Sequence, residues 1–163
     1  MNETERKKFA IELLKKQNTR AFVQKAMENG FFIEAIIRLD LLADALLDLL
    51  FSLSTSEDEK RAFYTANKTL ELDPEDVKKV RNKTLVEKQV IDQTLVNRIR
   101  KFKHVRNTMA HDVFGSMNLI LEKKGEYALK SFEDSEKELL LKECEKGEGL
   151  LDDVLKIVSK YVE

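Results

Sequence analysis

The sequence is poor in the residues that build disulfide scaffolds, tight turns and β-rich folds. Among its 163 residues it has one cysteine, one proline and five glycines. Cys144 has no second cysteine to pair with, so an intrachain disulfide and a cysteine-based zinc cluster are both excluded, and a reducing, cytoplasmic compartment is expected. Turn-forming residues are too few for a β-sandwich or barrel of many strands.

The sequence also lacks a hydrophobic run free of charge, and neither sign of charge dominates. The most apolar stretch spans residues 31–53 and contains five charged side chains: Glu34, Arg38, Asp40, Asp44 and Asp48. Those charges argue against a membrane span, and the first residues, MNETERKKF, have no signal-peptide core. A net charge of −1 gives no global attraction to nucleic acid, so affinity for RNA has to come from a local patch.

What the chain has instead is helical periodicity over most of its length. A length of 163 residues fits one domain with a real core. Its 42% hydrophobic and 36% charged residues are typical of a soluble, helix-rich protein. We therefore predict a single all-α domain over residues 1–163, folded as an up-and-down helical bundle. The predicted helices cover residues 3–16, 19–28, 31–53, 57–67, 74–82, 93–113 and 131–161.

Local signals support several of these helices. Asp73 followed by Pro74 marks the start of one helix, and Asp92 is expected to cap the helix that begins at residue 93. In the short helix over residues 57–67, Phe63 and Tyr64 are predicted to turn inward.

Other segments are open to two interpretations. Residues 84–91 continue as helix or turn, and residues 119–129 form a small hairpin or an irregular connector. Gly147 and Gly149 are expected to kink or split the last helix, because glycine weakens a helix interior.

The apolar helix over residues 31–53 has acids at every fourth position, Asp40, Asp44 and Asp48, which form one stripe. One interpretation is a solvated stripe that keeps the helix soluble. The other is that one of these acids pairs with a cation among residues 98–106. A metal site is not predicted, because the stripe offers too little variety of ligands.

The most informative stretch is residues 98–112, RIRKFKHVRNTMAHD, which holds both histidines of the chain. Hydrophobic residues recur at helical spacing and predict a buried stripe: Leu95, Ile99, Phe102, Val105, Met109 and Val113. Polar residues form a second stripe roughly opposite: Arg100, His104, Asn107 and His111. Lys103 lies near the edge of the polar stripe. This stripe offers cationic contacts to phosphate and imidazoles that transfer protons near neutral pH.

Arg106 and His111 are five positions apart, which places them about 140° apart around an ideal helix. Arg106 therefore leans toward the apolar side. Either the helix starts, kinks or unwinds near residues 105–106, or Arg106 is partly buried and pairs with an acid such as Asp40 or Asp44. A buried, unpaired arginine is excluded by its desolvation cost.

The segment Arg106-Asn107-x-x-Ala110-His111 resembles the R-x4-6-H signature of HEPN domains (higher eukaryotes and prokaryotes nucleotide-binding). The preceding apolar helix, EAIIRLDLLADALLDLLF, is similar to the central helix of that family, so the likeness spans residues 31–113. It implies a helical bundle that dimerises and brings two copies of the motif into one cleft. Many HEPN domains are metal-independent endoribonucleases, which leave a 2′,3′-cyclic phosphate and a 5′-hydroxyl.

The resemblance also implies roles for single residues. His111 is the general acid or base, Arg106 holds the phosphate and offsets charge in the transition state, and Asn107 orients His111 or the phosphate. Contact with substrate is assigned to three residues outside the family motif: His104, Arg100 and Lys103.

The expected function is thus a homodimeric, cofactor-independent ribonuclease that acts on RNA as a toxin or defence effector, with an antitoxin or regulatory protein as partner. The alternative is a non-catalytic HEPN-like module that binds nucleic acid, a nucleotide or a partner protein. Some HEPN toxins carry a tyrosine two residues after the histidine, where a partner nucleotidyltransferase modifies them. Here that position is Val113, which argues against that kind of pairing.

Overall fold

A computed structural model of the chain describes residues 19–111 and 132–161. Within these ranges it contains no strand, and its six helices are α1 Thr19–Glu28, α2 Phe32–Ser54, α3 Glu57–Thr69, α4 Pro74–Glu87, α5 Gln93–His111 and α6 Phe132–Lys160. The predicted all-α helical bundle is confirmed. The predicted helix over residues 3–16, the connector over residues 119–129 and Val113 lie outside the described residues. No described helix has a stretch long and apolar enough to cross a membrane.

The bundle is built around α2, which packs against α1, α4, α5 and α6. Five large aliphatic side chains of α2 are almost completely shielded from solvent: Ile36, Leu39, Leu46, Leu47 and Leu50. Each contributes roughly 1.5–3 kcal/mol through its removal from water. At 100° per residue these five positions fall within about 100° of one another. The helix α2 therefore buries one broad face, and its opposite side carries exposed residues such as Leu41.

The N-cap side chains of Asp73 and Asp92 define the first residues of α4 and α5. Asp73 Oδ1 accepts a hydrogen bond from the backbone N–H of Asp76 at 2.8 Å, and Asp92 Oδ1 accepts one from Leu95 N–H at 2.6 Å. Both predicted caps are confirmed. The segment at residues 84–91 is divided between the two predicted states: α4 continues through it to Glu87, and the chain then turns before α5.

The predicted inward orientation of Phe63 and Tyr64 is right for the first residue and wrong for the second. Phe63 is partly buried, with its ring centroid 4.6 Å from that of Phe51. Tyr64 is 62% exposed. Neighbouring positions on a helix point about 100° apart, so the position that faces α2 is taken by Phe63 and the next one faces solvent.

The two glycines do not split the last helix, because α6 runs unbroken from Phe132 to Lys160. Gly147 instead permits close packing: a Cβ atom at this position would lie 2.5 Å from Phe102 Cζ and 2.9 Å from Leu39 Cδ1. A Cβ atom on Gly149 would meet no described residue within 4 Å. Gly147 therefore brings α6 close to both α2 and α5, whereas Gly149 has no such packing role.

Alanine at these two positions is expected to change stability in opposite directions. Gly149→Ala should raise the free energy of unfolding by about 0.5–1 kcal/mol, because alanine favours a helix interior over glycine. Gly147→Ala gains the same propensity but forces Phe102 or Leu39 aside, which costs about 1–3 kcal/mol. Urea unfolding of both variants measures the difference, and equal shifts in the two would contradict the packing role of Gly147.

Candidate functional site

The predicted motif lies on α5, and the two faces of this helix differ as its periodicity indicates. Leu95, Phe102, Val105 and Met109 are buried, and Ile99 is half-buried. Three residues of the polar stripe are exposed: Arg100, His104 and Asn107. The side chain of His111 lies outside the described part of the structure, so the position of its imidazole stays a prediction.

Arg106 lies on the flank of α5 that faces α2, where it binds Asp40. Its Nε donates to Asp40 Oδ2 at 2.9 Å, and the two side chains are only 19% and 11% exposed. The predicted ion pair is confirmed. The alternative that the helix starts or unwinds near residues 105–106 is wrong, because α5 is helical without interruption from Gln93 to His111.

The geometry of this ion pair leaves much of the Arg106 guanidinium available. Among the described residues Arg106 is engaged through Nε alone, and neither Nη group donates to any of them. A guanidinium presents its N–H groups as a planar fork that matches two phosphate or carboxylate oxygens. Asp40 therefore holds Arg106 in one orientation while the Nη groups remain able to bind an anion.

Lys103, predicted to contact substrate, is engaged in a different pair. Its ammonium group contacts the carboxylate of Glu75 on α4. The hydrogen bond from Lys103 outweighs the effect of partial burial and lowers the pKa of Glu75 below its ordinary value. A phosphate at Lys103 would have to compete with Glu75, whereas Arg100 and His104 have no ion-pair partner among residues 19–111 and 132–161.

The acidic stripe of α2 pairs with cations of two other helices, although the Asp48 side chain in it is 67% exposed. Asp40 binds Arg106, as one interpretation of the sequence predicted, but Asp44 and Asp48 both bind Arg81 of α4. Burial tends to raise the pKa of Asp44, yet hydrogen bonds and charges from Lys78 and Arg81 outweigh it and hold this pKa below its usual range. The stripe thus connects α2 to α5 at one residue and to α4 at two.

Arg81 is a buried charge that sequence reasoning missed. It is 2% exposed. Its Nη2 donates to Asp44 Oδ1 at 2.7 Å, its Nη1 donates to Asp48 Oδ1 and to the main-chain oxygen of Asp44, and its Nε donates to Asn82 Oδ1 at 3.1 Å. Arg81 lies among similar cations in VKKVRNK. The available signal was the acidic stripe itself, since acids on an apolar helix require partners.

Cys144 and the acidic side chains are the remaining candidates for a nucleophile and for a metal site. The Cys144 thiol is buried, and burial, followed by the charges of Glu148, Glu143 and Glu145, raises its pKa to about 12. It is therefore no nucleophile at neutral pH. In the described ranges, no group of three or more histidine, cysteine, aspartate or glutamate side chains is placed to hold a metal ion.

Comparison with known proteins identifies no relative: no protein family, no curated protein and no solved structure matches this chain. The resemblance to HEPN domains therefore depends on the residues of the motif and of α2. The catalytic roles of His111, Arg106 and Asn107 stay predictions.

Proposed function

We propose that this protein binds RNA across the polar face of α5 and cleaves it as a metal-independent endoribonuclease of HEPN type. The observation that carries the proposal is the Arg106 guanidinium, which Asp40 orients through Nε while neither Nη group donates to a residue within 19–111 or 132–161. A preorganised cation of this kind stabilises the charge that develops on phosphate oxygens in the transition state. The HEPN resemblance suggests a role as a toxin or defence effector.

In the proposed reaction the RNA 2′-hydroxyl attacks the adjacent phosphorus. A bond forms between the 2′-oxygen and phosphorus, and the bond from phosphorus to the 5′-oxygen breaks. The imidazole of His111 takes the proton from the 2′-hydroxyl or supplies one to the leaving 5′-oxygen, and water carries out the other transfer, so that no proton is gained or lost overall. The products are a 2′,3′-cyclic phosphate and a 5′-hydroxyl, with Asn107 orienting either the phosphate or His111.

The proposed site requires two copies of the chain. Positions 106 and 111 are about 140° apart around a regular helix, so one subunit does not present both on the same side of α5. We place Arg106 of one copy opposite His111 of the other, in the shared cleft that the HEPN resemblance implies. Ile33 and Leu41 of α2, 41% and 55% exposed, supply apolar surface for such an interface.

The proposal is tested by the ends of RNA incubated with the pure protein in EDTA. New 2′,3′-cyclic phosphate and 5′-hydroxyl ends are expected, at a rate that EDTA does not change. A His111→Ala protein purified in the same way controls for contaminating ribonuclease. Equal cleavage by the two preparations, or none by either, contradicts the proposed reaction, and a stable monomer in gel filtration contradicts the shared cleft.

A second candidate is a non-catalytic module that binds nucleic acid. It is favoured by the position of Arg106 beside Asp40 of α2, about 140° around α5 from position 111, because one subunit then has no pair of reacting groups on one side of α5. In that case the pure protein binds RNA with an affinity that falls steeply with salt. The RNA ends stay unchanged.

A further inference from the structure

A groove lies between α5 and α6, beside the polar face of α5. It has a volume of about 770 Å³. Its apolar floor consists of the exposed edges of three largely buried side chains, Phe102 and Val105 of α5 and Leu150 of α6, and Gly149 of α6 adds a wall without a side chain. The charged and polar lining comprises Arg98, Arg100, Lys101, His104, Glu143 and Lys146.

The groove concentrates positive charge on a chain whose net charge is −1. Among the described residues that line it, four are cations and one, Glu143, is an acid. Arg98 and Lys146 each pair with a carboxylate of α6, at 2.7 and 2.8 Å. Arg100 and Lys101 are exposed and form no ion pair within residues 19–111 and 132–161. These two cations are therefore the ones available to an incoming anion.

We infer that this groove binds one nucleotide of single-stranded RNA beside the cleaved phosphate, with its base on the apolar lining and its phosphate between Arg100 and Lys101. This inference rests on the proposed binding of RNA. A nucleotide combines a flat base that packs on apolar surface with one negative charge. The groove offers the complement of both, and its volume lies in the range of about 300–1,000 Å³ that is usual for sites of small ligands.

The position of the groove relative to the motif supports this assignment. Arg100 and His104 belong to the polar face of α5 and also line the groove. A strand that leaves the groove therefore passes directly onto the face that carries Asn107. The groove thereby selects for single-stranded RNA, because a base paired in a duplex is not free to pack against the apolar lining.

Gly149 provides a test that does not touch the predicted catalytic residues. Gly149→Leu places an aliphatic side chain in the groove at a position where a Cβ atom meets nothing within 4 Å. In a His111→Ala background, binding of a labelled single-stranded oligoribonucleotide is measured by fluorescence anisotropy. Gly149→Leu is expected to weaken binding about tenfold, the loss of one base contact. Lys101→Ala should weaken it less and reduce its salt dependence by about one counterion.

Two controls separate the groove from general effects on charge and stability. Lys25→Ala removes a lysine of α1 that is not among the described lining residues, and this variant should bind RNA as the parent protein does. Gly149→Ala adds a much smaller side chain and should therefore weaken binding less than Gly149→Leu does. An oligonucleotide that lacks bases should bind the parent protein weakly and lose little more affinity with Gly149→Leu.

The outcomes for this inference and for the proposed reaction are distinct. If the wild-type protein cleaves RNA while Gly149→Leu and Lys101→Ala bind it unchanged, the groove assignment is overturned and the reaction stands. If the parent protein binds RNA, Gly149→Leu weakens that binding and the wild type does not cleave, the groove assignment holds and the reaction is overturned. No RNA binding by the His111→Ala parent overturns the groove assignment.

Discussion

Replacing His111 with alanine is expected to lower the rate of RNA cleavage by about 100- to 10,000-fold, because a positioned proton donor or acceptor supplies an acceleration of that size. Arg106→Ala is expected to lower the rate by about 100- to 1,000-fold, since it removes a preorganised charge from the phosphate. Single-turnover cleavage of a labelled RNA at saturating protein measures both effects on the chemical step. Circular dichroism and gel filtration show whether each variant keeps its helical content and assembly.

A substitution of Asp40 tests whether its ion pair with Arg106 positions that side chain for catalysis. Asp40→Ala keeps the Arg106 side chain but removes the carboxylate that orients it. Because displacement of a reacting group by about 1 Å lowers the reaction rate by as much as about 100-fold, the rate of cleavage is expected to fall within that limit. Asp48→Ala is the matched control, because this acid lies on the same stripe of α2 but binds Arg81 instead. A rate unchanged by Asp40→Ala would show that the ion pair does not position Arg106 for catalysis.

Mixing the two inactive variants tests whether the site is shared between subunits. In a mixed dimer of Arg106→Ala and His111→Ala chains, one of the two shared sites keeps both groups intact. After random exchange of subunits, half of the dimers are mixed, so roughly a quarter of the wild-type rate should return. A mixture that stays inactive despite exchange contradicts the two-copy arrangement.

Arg81→Met is expected to lower the free energy of unfolding by about 3 kcal/mol. Removing one partner of a buried ion pair costs about 3–5 kcal/mol, because the remaining charge is left without compensation. The expected value lies at the lower end because Asp44 keeps its contact with Lys78 and the Asp48 side chain is 67% exposed. Chemical denaturation measures the loss, which corresponds to a fall in melting temperature of roughly 6–12 °C.

Lys83→Ala is the control for this prediction, since Lys83 lies on the same helix and its pair with Glu87 is largely exposed. That variant should change stability by less than about 0.5 kcal/mol. Adding Asp44→Asn to Arg81→Met should restore part of the loss, because it removes a partly buried carboxylate that, among the described residues, only Lys78 then compensates. A loss for Arg81→Met no larger than that for Lys83→Ala would refute the role of Arg81 as the link between α2 and α4.

The amino-acid sequence by itself determined the helices and the two faces of α5. Asp73 and Asp92 cap their helices through bonds to residues three positions away, so their roles follow from local spacing. Phe102 and Met109 are buried, and Arg100 and His104 are exposed, because the helical repeat alone assigns them to opposite sides. The motif that suggests RNA cleavage is also a local pattern.

Only the tertiary structure decided which charged residues form ion pairs with each other. Arg106 and Asp40 are 66 positions apart in the sequence. They pair only because α5 packs beside α2 with these two residues at the same level along the helix axes. The same dependence hid Arg81, whose burial follows from the place of α4 rather than from its neighbours in sequence. Gly147 permits close contact between helices, whereas Gly149, two residues later, does not. No local sequence pattern distinguishes the two glycines. Hydrogen bonds and repeats within a helix act over a few residues, whereas burial and ion pairing between helices depend on the assembled bundle.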